Sequence, residues 1–218
     1  VRRQRQMCIR DRKSTLLYAL SGMDTISGGS IKFKDEEISK LSEKQMAELR
    51  ANEFGFVFQQ THLVSNLTLF ENVAVAGLVA KAGSTKEIRK KTDMLLMKMH
   101  VEKAKDRLPS QVSGGEAQRA AIARAMIGNP GLLFADEPTG ALNRANSEEV
   151  MNLLTGLNSD GQSILMVTHD IRAALHGNRI LYMEDGKILD ERNLSPYGHD
   201  NLKARENEVG KWLSSLQW

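Results

Sequence analysis

The sequence predicts an α/β protein with a mainly parallel sheet and an inserted helical subdomain at about 61–115. Three observations carry this expectation: short apolar strands that alternate with helical patterns, a stretch rich in helical signals without an obvious strand, and polar residues placed where strands end. Apolar and β-branched runs at Ile31–Phe33, Phe54–Phe58, Leu132–Ala135, Ile164–Val167 and Ile180–Met183 read as strands, several of them fully buried. Leu67 to Arg107 holds only helical patterns and reads as the inserted lobe.

The helices carry their own boundary signals. Ser84-Thr85-Lys86-Glu87 is a capping-box pattern, after which Ile88, Leu95, Leu96 and Met99 recur at helical spacing. A second such pattern, Ser113 to Glu116, opens a helix through Ala125 that Gly128, Asn129 and Pro130 stop. Glu184-Asp185-Gly186 predicts a tight turn between Leu181-Tyr182-Met183 and Lys187-Ile188-Leu189. Leu202, Val209, Trp212, Leu213 and Leu216 predict a C-terminal helix packed on the body, in a helical extension at 193–218.

Composition narrows the function classes. With 218 residues, 41% of them hydrophobic and 26% charged, the chain is neither disordered nor membrane-spanning in character. Its longest apolar run, Val73 to Ala80, is interrupted by Gly77 and falls far short of the roughly 18 residues a spanning helix needs. The single cysteine, Cys8, leaves no internal disulfide to form, which points to a reducing cytosol. The net charge of +3 is local: Arg2, Arg3, Arg5, Arg10 and Arg12 against Asp11 give residues 1–12 a charge of +4, so the rest carries −1. That tail lacks aromatic residues for base stacking, so no nucleic-acid partner is expected, and residues 1–12 read as a foreign basic extension.

Four constellations carry chemistry. Leu132 to Pro138 is an apolar strand delivering two adjacent carboxylates, Asp136 and Glu137, to the sheet's carboxyl edge, where open α/β sheets bind ligands. Mutual repulsion makes sense of the pair if Asp136 faces a magnesium ion while Glu137 orients or deprotonates a water. In Ser113-Gly114-Gly115-Glu116, glycines at a helix start let backbone amides approach an anion. Lys13-Ser14-Thr15 before an apolar helix is the ending of a P-loop, with the lysine for phosphate charge and the hydroxyl for magnesium. The glycines this loop requires are replaced by Met7 and Arg12, and Asp11 adds a carboxylate beside the phosphates. Finally, Gln59 and His169 each follow a strand, where a metal ligand or a γ-phosphate contact would sit.

Taken in order, Lys13-Ser14-Thr15, Gln59, Val112 to Glu116, Asp136 to Gly140 and Thr168-His169-Asp170 resemble the nucleotide-binding subunit of ABC transporters, over Lys13 to about Arg192. The resemblance implies a P-loop NTPase fold, with ATP and magnesium as ligands. It implies that Lys13 and Thr15 hold phosphates, that Ser14, Gln59 and Asp136 serve the magnesium shell, that Glu137 is the general base and that His169 senses the γ-phosphate. Ser113, Gly114, Gly115 and Glu116 would contact ATP across a head-to-tail homodimer, and the lobe at Thr61 to Arg107 would receive a transmembrane permease. The protein would then sit peripherally on the cytoplasmic face of the membrane. Val57 to Gln60 and Leu67 to Val73 are similar to the lipoprotein-release, macrolide-export and peptide-antibiotic-resistance branch; Ala141-Leu142-Asn143 resembles its D-loop, with asparagine where many relatives have aspartate. The family's first β-region, with its adenine-stacking aromatic, is largely missing ahead of Lys13. Two alternatives stay open: a regulatory ATPase acting on a membrane protein without transport, and a non-hydrolysing module that docks on a permease because its P-loop is defective.

Overall fold

A computed structural model describes residues 13–216, apart from the side chain of His199; the readings placed on residues 1–12, including Met7, Asp11 and Arg12, lie outside the described residues. Two compact units are present, one of residues 16–167 and one that contains residues 168–216 together with 13–15. A first helix, α1, covers 13–20.

The 16–167 unit is built on three parallel strands, β3 (Phe54–Phe58), β4 (Leu132–Asp136) and β5 (Ser163–Val167), in the order β3-β4-β5. Their register aligns Phe58 with Asp136 and Asp136 with Val167, so all three end level at one edge. Central β4 is buried from Leu133 to Asp136, as a two-sided parallel strand requires. The predicted strand at Ile31–Phe33 is not part of this sheet. Lys32–Phe33 (β1) pairs antiparallel with Glu36–Glu37 (β2), in a hairpin too short to present a buried face. Phe33 still reaches the core: its ring meets Phe54 edge-on at 4.9 Å, and Phe54 meets Phe134 at 5.1 Å. Leu17 of α1, Ile38 and Met46 complete that cluster. Met46 is the one buried residue of α2 (Glu43–Glu53), a helix closed by a Ser42–Gln45 capping box.

Between β3 and β4 lie α3 (Leu69–Val79) and α4 (Thr85–Lys98), within the stretch expected as a helical lobe at about 61–115, and α5 (Gly114–Met126), which carries the helical region eleven residues beyond it. All three start with a capping box, at Thr68–Glu71, Ser84–Glu87 and Ser113–Glu116. Their buried faces, among them Leu69, Val73, Ile88, Leu96, Met99 and Ile122, form the lobe's interior. Asn72, 3% exposed, organises the loop before α3: its amide donates to the carbonyls of Val64, Leu67 and Thr68, and its Oδ1 accepts from Val64 N. Helix α6 (Arg144–Ser159) follows β4 and buries Val150, Met151, Leu154 and Leu157.

In the 168–216 unit, a short helix α7 (Ile171–Ala174) precedes the predicted hairpin, β6 (Arg179–Glu184) with β7 (Lys187–Asn193). Asp185 and Gly186 both have positive φ, 50° and 77°, the twist that two-residue hairpin turns favour. The predicted C-terminal helix, α8 (Leu202–Ser215), packs Val209 and Trp212 against Leu175, Ile180 and Tyr182. Buried Arg205 donates to the carbonyls of Leu175, Gly177 and Ser195, and Trp212 Nε1 donates to Asp190 at 2.8 Å. Among the described residues, no helix is long and apolar enough to cross a membrane.

Candidate functional site

Asp136 and Glu137 lie where β4 ends, 9% and 5% exposed. Asp136 is still part of the strand, and its Oδ2 accepts a hydrogen bond from the Tyr18 hydroxyl at 2.9 Å. Burial, then that bond and the charge of Asp136, push the Tyr18 phenol above its ordinary pKa, so it remains a donor at neutral pH. Glu137 turns the chain sharply, with φ of 48°. A non-glycine residue in this left-handed region costs roughly 1–2 kcal/mol, and the surroundings hold it there: Glu137 N donates to Val167 O and its carbonyl accepts from Gly140 N, both at 2.9 Å. The turn separates two carboxylates that an uninterrupted strand would already send to opposite faces, while Glu137 N still closes the last rung of the ladder to Val167.

Gln59 arrives beside this pair from the neighbouring strand, since it follows Phe58, the register partner of Asp136. It lies against Gly140: a Cβ at that glycine would stand 2.9 Å from Gln59 Nε2 and 3.1 Å from its Cδ. Asp136, Glu137 and Gln59 are thus brought to one sheet edge, the place where α/β sheets take ligands.

The Ser113–Glu116 loop opens α5 as predicted. Ser113 is the N-cap, its hydroxyl donates to Glu116 Oε2 at 2.8 Å, and the Glu116 carboxylate also accepts from Ser113 N at 2.8 Å. Those two bonds, the backbone one first, hold Glu116 below the ordinary carboxylate range. Gly115 approaches α6 so closely that a Cβ there would lie 2.6 Å from Asn146 Cγ. Asn143 caps α6 by accepting from Asn146 N at 3.0 Å, so the Ala141–Asn143 segment and the Ser113–Glu116 loop meet through one asparagine.

Lys13, Ser14 and Thr15 open α1, and His169 follows β5; these four belong to the unit that contains 168–216. Beside His169, Asp170 caps α7. Burial pushes the Asp170 carboxyl up, but the side-chain and backbone N–H donors of Arg172 outweigh it and hold the group below its usual range.

Several residues that the sequence pattern left unmarked support the edge. Tyr18 is one. Gln118 Nε2 donates to Phe58 O at 2.9 Å, and Arg124 donates to the carbonyls of Thr61 and His62. Arg119 joins Met99 O to a 2.7 Å ion pair with Glu149. Gln118 and Arg119, two polar residues within the otherwise small and apolar stretch Ala117 to Ala123, are the sequence trace of such contacts on α5.

The donor set suits a hard divalent cation held jointly with phosphates. Among the described residues no group of three His, Cys, Asp or Glu side chains could hold a metal unaided, and magnesium characteristically takes one or two carboxylates plus phosphate and water oxygens. Asp136 with Gln59 fits that mode.

The profile of the family described as "ABC transporter" matches residues 13–140. The macrolide export ATP-binding/permease protein MacB of Pasteurella multocida is 37% identical over 206 residues, 94% of this chain and 31% of that protein. The lipoprotein-releasing system ATP-binding protein LolD of Buchnera aphidicola is 39% identical over 182 residues, 83% of this chain and 79% of that protein. The chain thus spans about a third of the length of the macrolide-export relative but most of the lipoprotein-release one. Among solved structures, the ATP-binding cassette MJ0796, a dimer in a post-hydrolysis state bound to ADP and Pi, superposes with a TM-score of 0.77 at 36% identity, covering 85% of this chain and 82% of that one.

Proposed function

The chain belongs to the ABC transporter family, and on that premise we propose that it is the ATP-binding and ATP-hydrolysing subunit that energises a membrane transporter. The observation that carries the reading is the buried pair Asp136–Glu137 at the carboxyl edge of β4, with Gln59 beside it. Glu137 is the general base: its buried carboxylate, where the chain turns out of β4, takes a proton from an attacking water. Asp136, oriented by Tyr18, together with Gln59 and Ser14 would hold magnesium. When bound, that ion supplies charge neutralisation on the phosphate oxygens. Lys13 and Thr15 contact phosphates, and His169 holds the γ-phosphate end.

The Ser113–Glu116 loop contacts ATP bound to a second copy, in a head-to-tail homodimer; the dimeric MJ0796 cassette supports this reading. The lobe from Thr61 to Arg107 receives a transmembrane permease, which places the chain peripherally on the cytoplasmic face of the membrane. The names of the relatives, macrolide export and lipoprotein release, support a role in export of, or resistance to, peptide or lipid-associated substrates. Light scattering of Glu137→Gln with and without ATP tests the assembly: ATP should convert monomer to dimer, and Ser113→Arg should prevent it. A Glu137→Gln protein that stays monomeric at saturating ATP overturns the dimer reading.

A further inference from the structure

We propose that Gln118 and Arg124 are positioning residues that clamp the segment Phe58–His62, and with it Gln59, to the helix that begins at the Ser113–Glu116 loop. Both lie on α5, six residues apart, about 9 Å along the axis. Gln118, 1% exposed, donates from Nε2 to Phe58 O at 2.9 Å, the last carbonyl of β3. Arg124 forks over the other end, donating to His62 O at 2.6 Å and Thr61 O at 2.7 Å. Burial works against the charge of Arg124 and lowers its pKa; two carbonyl acceptors are what offset that cost.

The clamped segment is itself bent. His62 has φ of 47°, and its ring meets the Phe58 ring edge-on at 5.4 Å, so the five-residue segment closes on itself with Gln59 inside it. Gln59 in turn touches Gly140, three residues beyond Glu137. At the other end of α5, Gly115 touches Asn146. One rigid helix therefore links the loop proposed to bind the second copy's ATP to the residue proposed to hold magnesium. A tilt of α5 cannot move the first without pulling the second, because the bonds to Phe58, Thr61 and His62 all originate from its side chains. The consequence for turnover rests on the roles proposed above for Ser113–Glu116 and Gln59; the clamp does not.

Amide hydrogen exchange on the full chain, without nucleotide, tests it. Arg124→Gln removes the charged fork, Arg124→Lys retains the charge with one point donor, and Gln118→Met replaces the amide with an apolar group of similar volume. The expected result is exchange at least tenfold faster at Gln60, Thr61 and His62 in Arg124→Gln and in Gln118→Met. Arg124→Lys should be intermediate, and β4 and α5 amides should be unchanged in all three. Unchanged exchange at 60–62, or equal acceleration across β3, β4 and α5, overturns the clamp. A local change in a protein that does not hydrolyse ATP leaves the clamp standing and removes the catalytic reading instead.

Discussion

Replacing Gly115 by alanine separates two physical effects that act with opposite sign. Position 115 is the second residue of α5, and helix propensity alone predicts that alanine stabilises it, by up to about 1 kcal/mol. The tertiary environment predicts the reverse. The new Cβ would stand 2.6 Å from both Asn146 Cγ and Oδ1 and 3.1 Å from Asn146 Cβ, so either the asparagine rotates or the two helices part. Rotation is not free, because the neighbouring Asn143 cap on Asn146 N fixes the backbone from which that side chain projects. Overpacking of this kind costs roughly 1–3 kcal/mol, and subtracting the propensity gain of about 1 kcal/mol leaves a net loss of up to about 2 kcal/mol. Urea unfolding of the wild type, Gly115→Ala, Asn146→Ala and the double variant forms the assay. The double variant should recover about 1 kcal/mol of the loss, since truncating Asn146 removes both 2.6 Å contacts. A Gly115→Ala protein more stable than the wild type would refute the close approach of α5 and α6.

Three further outcomes follow from the same geometry. Asn72→Ala should cost about 3 kcal/mol in urea unfolding, because it strands Val64 N and Leu67 O in a part-buried loop, whereas the Val64 and Thr68 carbonyls keep backbone donors; a loss under about 1 kcal/mol would show that water replaces the amide. The Glu71, Glu87 and Glu116 carboxylates are held below their ordinary pKa of 4.5 by bonds from Thr68, Ser84 and Ser113, through the backbone first for Glu71 and Glu116 and through the hydroxyl first for Glu87. A depressed folded-state pKa gives stability that is present above the unfolded value and lost as pH falls through the folded one. The thermal midpoint should therefore drop below pH 4.5 more steeply in the wild type than in Glu71→Gln/Glu87→Gln, and parallel curves would argue against the caps. Replacing Met7 and Arg12 by glycine should raise ATP affinity at least tenfold in a fluorescent-nucleotide titration, about one charge-assisted hydrogen bond, and an unchanged affinity would mean the loop glycines are dispensable.

What the sequence disclosed depended on whether the deciding forces were local. The capping boxes at Ser84 and Ser113, the strand Phe54–Phe58 and the turn at Asp185-Gly186 are written in adjacent residues, and all lie where they were expected. Helix α2 carries a box at Ser42–Gln45 that is equally readable, but only Met46 is buried, so no apolar stripe drew attention to it. Helix α6 carries a stripe, Val150, Met151, Leu154 and Leu157, at helical spacing, but no helix was expected there. Ile31–Phe33 looked like a sheet strand because its apolar run is the same whether its partner is parallel or a hairpin.

At the candidate site, Asp136, Glu137 and Gln59 were legible because each stands at the end of an apolar run, and a chain reversal must follow. The left-handed backbone of Glu137 was not, since nothing about a glutamate announces φ of 48°. Gln118 and Arg124 were not legible either. Their acceptors are main-chain carbonyls some sixty residues away, and a carbonyl has no residue identity to pair with.

The proposed catalytic centre is tested most directly by phosphate release from millimolar ATP by the wild type and Glu137→Gln, each with magnesium and with chelator. The account predicts magnesium-dependent release by the wild type and a loss of at least about a hundredfold in Glu137→Gln, the scale of a missing general base. Equal release from both proteins, or release that persists in chelator, would contradict it.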